Sequence, residues 1–260
     1  MKRLPIRRTL AACAVMVLAA AGARLRAADA LPKAETILDK SVEATGGKAA
    51  YEKSHNTVIT GSMELPAMGI KGTMTITKAE PDKSLAEIEI AAVGSIKQGY
   101  DGKTAWEINP MQGARIREGD EATAAKREAH YHDENWRDDF KKVETVGTET
   151  VDGKDCYKLV KTPNAGNPVT EYYDKKTGLL VKASTTVSTP NGDMEASTVF
   201  SDYRKEGDLL VAHKIQQSAG PQEITITLET FKFNVDLAKN KFDLPDEIKA
   251  LTKTEPSPKK

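Results

Sequence analysis

The strongest constraint on the fold is a residue pattern of period two that recurs along most of the chain. In Ile70–Thr77, apolar residues or glycine at even positions alternate with Lys or Thr at odd positions, and Ala86–Ile90 and Ala105–Ile108 alternate as well. Because successive side chains of a strand point to opposite faces of a sheet, the pattern predicts strands with one apolar face. Turn dipeptides such as Asp101-Gly102 and Asn109-Pro110 separate the runs and favour antiparallel hairpins.

The alternation returns in the second half of the chain. Seven further runs are predicted as strands: Val143–Val151, Lys154–Lys161, Val169–Asp174, Leu179–Val187, Glu195–Tyr203, Leu209–Gln217 and Glu223–Val235. In the last run the apolar positions change from even to odd near Glu229-Thr230, which predicts a β-bulge. About ten or eleven strands in one antiparallel sheet tend to curl. The sequence therefore predicts an α+β, mainly β fold built on a large curled sheet, a half-open barrel with a concave apolar face.

An amphipathic helix is predicted before the first strand. In Ala34–Thr45 the apolar residues Ile37, Leu38 and Val42 share one face at helical spacing. Gly46-Gly47 is typical of a helix C-terminus, and residues 48–53 have the composition of one further turn.

A second helical segment interrupts the strands in the middle of the chain. Residues 119–140 are rich in Ala, Glu, Lys and Arg, and Asp120 is a candidate N-cap. Five residues are spaced three or four apart and predict one buried stripe: Ala125, Ala129, His132, Trp136 and Phe140. We expect one helix or two short ones here, which act as a lid over the apolar face of the sheet.

The first thirty residues predict export. Four basic residues within Lys2–Arg8 precede an apolar run from Leu10 to Ala23, which fits a signal peptide and is too short to span a bilayer. Cleavage is expected between Arg24 and Leu31, with a periplasmic mature protein. Cys13 ends a lipobox-like sequence, but most of the apolar run follows it, so lipidation there is not expected. The predicted organisation is a signal peptide over 1–30, one domain over 31–251 and a disordered tail, rich in Lys, Pro and Ser, over 252–260.

Charge and cysteine content restrict the partners and the cross-links of the mature chain. The full chain has 38 basic and 38 acidic residues; removing the six Lys or Arg and one acidic residue of the signal leaves 32 and 37, a net charge of −5. This balance disfavours nucleic acid and electrostatic docking on anionic lipid. Cys156 is then the single cysteine, so no internal disulfide can form, and we expect it to be a buried core residue.

Three segments resemble a known family. Gln98–Pro110 has the Tyr-Asp-Gly-x-x-x-Trp hairpin typical of outer-membrane lipoprotein-sorting proteins, Tyr172–Leu179 resembles a second family hairpin, and Asn240–Pro245 resembles a closing Phe-x-x-Pro segment. Over roughly residues 33–248 the chain resembles the LolA/LolB-like periplasmic lipoprotein carrier superfamily. The resemblance implies a half-open barrel with a helical lid and an acyl-chain ligand, and it carries over no functional residue.

Catalytic and metal motifs are lacking in the sequence. There is no Gly-x-Ser-x-Gly, no Gly-rich phosphate loop and no His-Glu-x-x-His. His130-x-His132, followed by Asp133 and Glu134, is the one candidate metal cluster, but helix residues two apart point in different directions. We therefore predict no enzymatic activity, no cofactor and no metal.

The predicted function is a periplasmic carrier that holds the acyl chains of a lipid or lipoprotein in an apolar groove. Seven residues are predicted to line the groove: Met74, Ile76, Ile88, Ile90, Trp106, Ile108 and Trp136. An alternative is an envelope sensor of the same fold that binds mislocalised lipoprotein and signals to a protein partner. Expected partners are thus a lipid or acylated lipoprotein and an envelope protein, without nucleic acid and without stable membrane insertion after signal removal.

Overall fold

The computed structural model of the protein describes residues 30–91, 93–131, 133–189 and 192–254. The predicted signal peptide, apart from Ala30, and the tail after Thr254 lie outside the described residues, so both stay predictions. The helices are α1 (Ala34–Ala44), α2 (Lys48–Tyr51), α3 (Gly119–Ala129) and α4 (Asp246–Thr254), with 3-10 segments at Pro66–Met68 and Asp133–Asp138. None of the helices in these ranges is long and apolar enough to cross a membrane.

The described strands form one antiparallel sheet that does not close. They are β1 (Asn56–Leu65), β2 (Ile70–Ala79), β3 (Lys83–Ile90), β4 (Gly94–Tyr100), β5 (Ala105–Asn109), β6 (Gly113–Ile116), β7 (Phe140–Val151), β8 (Lys154–Pro163), β9 (Val169–Asp174), β10 (Leu180–Thr189), β11 (Gly192–Glu206), β12 (Leu209–Ala219) and β13 (Gln222–Phe233). Their order is β6-β5-β4-β3-β2-β1-β13-β12-β11-β10-β9-β8-β7. The fold class predicted from alternation is confirmed, and the two edges of the sheet, β6 and β7, leave it open.

Three strands were not predicted from the alternation. β4 contains the polar run Lys97-Gln98-Gly99, and β6 has only four residues, so neither shows a clear apolar stripe. β1 carries Val58 and Ile59 next to each other, so it shows no single apolar face. β1 also joins the two halves of the sheet, since it pairs with β2 on one side and with β13 on the other.

The predicted bulge in β13 is confirmed. Thr60 pairs with Thr230 and Gly61 pairs with Leu228, so Glu229 is the extra residue. A Cβ atom at Gly61 would lie 2.3 Å from the carbonyl oxygen of Thr227, so the close approach of the two strands requires glycine here. The bulge places Leu228 and Phe231 on one face of the sheet although one is even and the other odd.

Different segments of the chain pack on the two faces of the sheet. Directly opposed residues of antiparallel strands point to the same face. The chain of pairs Phe200–Ile215–Ile226–Met63–Gly72–Ile90 therefore defines one face across six strands. We call this the inner face; α1 and α3 pack on it.

Helix α1 is fixed to the inner face by its apolar stripe. Ile37 and Leu38 are buried against Leu159 of β8 and Tyr173 of β9. At its end, the carbonyl of Thr45 accepts a hydrogen bond from the backbone N–H of Leu210 at 2.9 Å. The helix predicted over 34–45 and the extra turn after it are confirmed.

The mid-chain segment is not a continuous helix. α3 ends at Ala129, His130 has an extended backbone, a 3-10 segment follows, and Phe140 already belongs to β7. The predicted stripe is thus divided: Ala125 and Ala129 pack on β4 and β5, whereas Trp136 and Phe140 pack near α1. His132 lies outside the described residues, and the residue before α3 is Glu118, so the prediction of Asp120 as N-cap is wrong.

The C-terminal segment covers the opposite, outer face. Phe242, Leu244 and the fully buried Ile248 pack on Leu85 and Trp106. α4 continues through Thr254, so the first three residues of the predicted tail are helical. Its apolar residues Ile248 and Leu251 were too few for the sequence pattern to indicate a helix.

A candidate ligand cavity under helix α1

A cavity of about 500 Å³ lies between the inner face and α1. Its floor is formed by strands β7 to β13, and its sheet residues include Tyr173, Leu180, Phe200, Ile215, Leu228 and Phe231. Its cover comes from Leu38, Val42 and Thr45 of the α1 region, Tyr51 of α2 and Trp136. The wall is therefore mostly aliphatic and aromatic.

Strand register explains why these side chains converge. Ile215 pairs with both Phe200 and Ile226, so β11, β12 and β13 present apolar residues side by side. The bulge at Glu229 then adds Phe231 to the same face. The cavity thus combines the consecutive hairpins β11–β12 and β12–β13 with the long-range pairing of β13 with β1.

The two parts of the cover are joined by a clasp centred on Asp39, which comprises Asp39, Trp136 and Arg137. The Arg137 guanidinium donates to both Asp39 carboxylate oxygens at 2.9 and 2.8 Å, and Trp136 Nε1 donates to Oδ1 at 3.3 Å. The Arg137 guanidinium also lies 4.1 Å from the centre of the Trp136 ring. The hydrogen bonds from Arg137 lower the pKa of Asp39 below its usual value.

A buried ion pair interrupts the apolar wall. Lys161 Nζ on β8 lies 2.9 Å from Glu171 Oε1 on β9, and only 8% and 11% of the two side chains is exposed. Tyr173 Oη donates to Glu171 Oε2, and the Lys161 ammonium lies 4.0 Å from the centre of the Phe140 ring. Burial of charge in an apolar wall is tolerable because the two groups are paired.

A further polar group of the wall, the Tyr203 hydroxyl, is engaged within the protein. Tyr203 Oη donates to the carbonyl oxygen of Leu180 at 2.8 Å, and burial raises the pKa of the Tyr203 hydroxyl. Next to the wall, His213 Nδ1 lies 2.7 Å from the carbonyl oxygen of Leu228, and its ring packs against Phe231 with the centroids 5.1 Å apart.

Comparison with known proteins identifies solved structures that share this architecture. No protein-family model matches the sequence, and no curated protein matches it. Solved structures do match. A LolA superfamily protein from Nitrosomonas europaea has a TM-score of 0.57 at 15% identity, with 82% of this chain and 99% of that chain covered. The fold is LolA-like.

Two further structures support this assignment. A putative outer membrane lipoprotein-sorting protein domain from Vibrio parahaemolyticus has a TM-score of 0.54 at 14% identity, covering 81% of this chain and 97% of that one. A DUF1329 family protein from Desulfovibrio piger has a TM-score of 0.55 at 15% identity, with the same coverage. The resemblance drawn from the hairpin residues is confirmed for the fold, and identities this low define the fold alone.

The LolA-like sheet divides the seven predicted groove residues among three places. Met74, Ile76, Ile88 and Ile90 lie on the inner face, beside the cavity but outside its wall. Trp136 lies in the cover of the cavity.

The prediction for Trp106 and Ile108 is wrong with respect to the face. Trp106 pairs with Gly99, and Gly99 pairs with Leu85, so Trp106 points to the outer face. There it is buried under the C-terminal segment, with Ile108 packed at the edge of the same cluster. Trp106 and Ile108 are even-numbered like Ile88 and Ile90, which suggested a shared face. β4 lies between the two strands, and the pairings through it place even-numbered residues of β3 and β5 on opposite faces.

The candidate metal cluster has a different arrangement. His130 Nδ1 lies 2.7 Å from Asp139 Oδ2, which ties the end of α3 to the start of β7. His132 lies outside the described residues. Among the described residues, no group of three or more His, Cys, Asp or Glu side chains is placed to hold a metal ion.

Proposed function

We infer that the protein is a periplasmic carrier that binds the acyl chains of a lipid or lipoprotein in the cavity under α1. The observation that carries this proposal is the cavity itself: its wall is mostly apolar, it lies on the inner face of a LolA-like sheet, and a helix covers it. Its volume of about 500 Å³ falls within the usual range for ligand pockets. Two of the solved structures with this fold are described as a LolA superfamily protein and a lipoprotein-sorting protein domain, which supports an acylated ligand.

Acyl chains suit a wall of this kind on energetic grounds. Each methylene group that leaves water contributes about 0.8 kcal/mol. Burial of about ten methylenes contributes roughly 8 kcal/mol before the entropic costs of binding, which corresponds to micromolar affinity at best. A carrier has to release its cargo, so an affinity of this order is compatible with transfer.

Two matched substitutions on the inner face test the location of the site. Ile215→Asp puts a carboxylate into the cavity wall, whereas Ile88→Asp puts one on the same face outside the cavity. Both isoleucines are half-buried in the wild-type protein. Binding of a pyrene-labelled fatty acid methyl ester should fall at least about tenfold in the first variant and stay near wild type in the second, because only the first desolvates a charge against the chain.

Melting temperatures measured alongside separate loss of binding from loss of folding. Lack of probe binding by the folded wild-type protein would refute the carrier proposal. Equal losses in the two folded variants would mean that the ligand extends over β2 and β3.

Location and role have tests of their own. The signal-like pattern of residues 1–30 supports the periplasm, so the protein from a periplasmic fraction should begin between Arg24 and Leu31. A full-length chain recovered from the cytoplasm would contradict export.

A carrier should pass bound probe to acceptor vesicles, whereas the sensor alternative requires a stable, ligand-dependent complex with an envelope protein.

A further inference from the structure

The buried Lys161–Glu171 pair is in the wall of the cavity, where a ligand would contact it. Both residues belong to the sheet, on the neighbouring strands β8 and β9, so their positions are set by strand pairing rather than by a loop. An ion pair in this place has no evident structural purpose that apolar side chains would not serve as well or better.

Hydrogen-bonding capacity differs between the two partners. Each carboxylate oxygen of Glu171 is engaged, one with Lys161 and the other with Tyr173. Lys161 has three N–H donors, and within the described part of the chain its polar partner is Glu171, with the Phe140 ring against its side. The ammonium therefore has donor capacity left for an acceptor atom inside the cavity.

The charge of the wall determines which acceptor fits. Five described lining residues carry a formal charge: Arg127 and Lys161 are basic, and Glu134, Asp139 and Glu171 are acidic. The wall thus has one excess negative charge, and the positive charge of Lys161 is already balanced by Glu171. An ionised carboxylate would enter an environment that gives it no net countercharge, whereas a neutral carbonyl oxygen needs only a donor.

We propose that Lys161 binds a carbonyl oxygen of the ligand and that Glu171, by neutralising it, makes the cavity select uncharged acyl esters over free fatty acid anions. This inference rests on the proposed function, because it concerns the ligand of the same cavity. Glu171 acts as a specificity-determining residue through Lys161, and Tyr173 holds its second oxygen.

Displacement of the pyrene-labelled methyl ester tests the selectivity. At pH 8, unlabelled methyl oleate should displace the probe from the wild-type protein at a concentration at least about tenfold lower than oleate, since the two share one acyl chain and differ in the head group, a neutral methyl ester against a carboxylate. Glu171→Gln keeps the size of the side chain and an acceptor for Tyr173 but leaves Lys161 without a countercharge. It should improve oleate binding by about tenfold or more and remove or reverse the preference.

A second substitution assigns the effect to Lys161. In the double variant Lys161→Met with Glu171→Gln, the gain for oleate should disappear and the affinity for methyl oleate should be below that of the wild type, because the donor is gone. Lys158→Met is the matched control, since Lys158 lies on the same strand but faces outward and pairs with Glu149 at 3.0 Å. It should leave both affinities unchanged.

The outcomes separate the two proposals. Tighter binding of oleate than of methyl oleate by the wild-type protein, or an unchanged ratio in the folded Glu171→Gln variant, would overturn the role of the ion pair and leave the carrier proposal intact. Failure of the probe to bind the wild-type protein would instead remove the carrier proposal itself.

Discussion

The face of the sheet on which Trp106 lies depends on the register of its strand. Alternation within β5 shows correctly that Trp106 and Ile108 share a face, but it does not show which face of the sheet this is. That depends on the pairings through β4, where Gly99 lies between Leu85 and Trp106. The Trp106 ring fills the space above Gly99, where a Cβ atom would lie 2.7 Å from the ring. Even or odd residue numbers therefore indicate which residues share a face within one strand, but they do not indicate it across a turn into the next strand.

Trp106 should contribute to stability and not to binding. Trp106→Ala removes a side chain that is 3% exposed from the cluster under α4, so the free energy of unfolding should fall by about 3–5 kcal/mol in urea titrations. Met111→Ala, at a position 83% exposed, should change it by less than about 0.5 kcal/mol. The folded fraction of Trp106→Ala should bind the acyl probe as tightly as the wild type, and a specific loss of affinity would return Trp106 to the ligand site.

Cys156 should be inert in the folded protein. Its side chain is fully buried with Tyr172 and Val181 on the outer face, and burial raises the pKa of the thiol. A thiol reagent at pH 8 should leave it unmodified in native buffer and modify it in urea, because reaction requires an accessible thiolate. Cys156 is thus the buried core cysteine expected from the sequence. Rapid modification of the native protein would contradict this packing.

At the scale of elements, the cover of the cavity differs from the lid expected from the sequence. The sequence allowed one helix or two short ones over 119–140. The structure has α3 on β4 and β5 and a separate 3-10 segment joined to α1 through Asp39. The break occurs at His130, which bonds to Asp139. Helical periodicity continued past this residue, so the pattern allowed two short helices but did not indicate where the break lies.

The clasp at Asp39 should affect opening of the cover more than global stability. Asp39→Asn weakens an exposed ion pair, so the free energy of unfolding should fall by less than about 1 kcal/mol. Because the folded-state pKa of Asp39 is lowered, its contribution is complete above the unfolded pKa of about 3.9 and is lost as the pH falls through the folded value. Hydrogen exchange of residues 34–44 should quicken in the variant at pH 7, relative to β13, while the wild type should show a similar change only in acid.

A different outcome in the Asp39→Asn variant would show that the clasp is not needed. Unchanged exchange of α1 in Asp39→Asn, with Trp136 emission unaltered, would show that the apolar contacts of Ile37 and Leu38 hold the cover without the clasp.

The bulge in β13 should be intolerant of a larger residue on the facing strand. Gly61→Ala would bring a Cβ atom to 2.3 Å from the Thr227 carbonyl oxygen, so the strands must separate and the protein should lose several kcal/mol of stability, of the order seen for overpacking. Gly147→Ala on the edge strand β7 is the control, because a Cβ atom there meets nothing within 4 Å. A small effect at Gly61, measured by thermal unfolding, would mean that the β1–β13 pairing relaxes readily.

At the scale of the whole molecule, the fold was predictable and the cavity was not. Alternation, turn dipeptides and the hairpin resemblance sufficed for an open antiparallel sheet with an N-terminal helix, because each is a local property. The cavity depends on β13 lying between β1 and β12, and on α1 returning to β8 and β9. The β1–β13 pairing and the α1 contacts join residues far apart in sequence, and none of Phe200, Ile215 and Leu228 differs from an ordinary core residue until the pairings are known.

Photo-crosslinking tests whether the cavity under α1 holds the acyl chain. A fatty acid methyl ester with a diazirine near the end of its chain would be bound, irradiated and mapped by peptide mass spectrometry, with excess methyl oleate as competitor. Competed adducts should fall on the cavity-lining residues within 38–45 and 200–231. Competed adducts confined to Trp106, Ile108 and residues 242–248, which pack together on the outer face, would contradict this location.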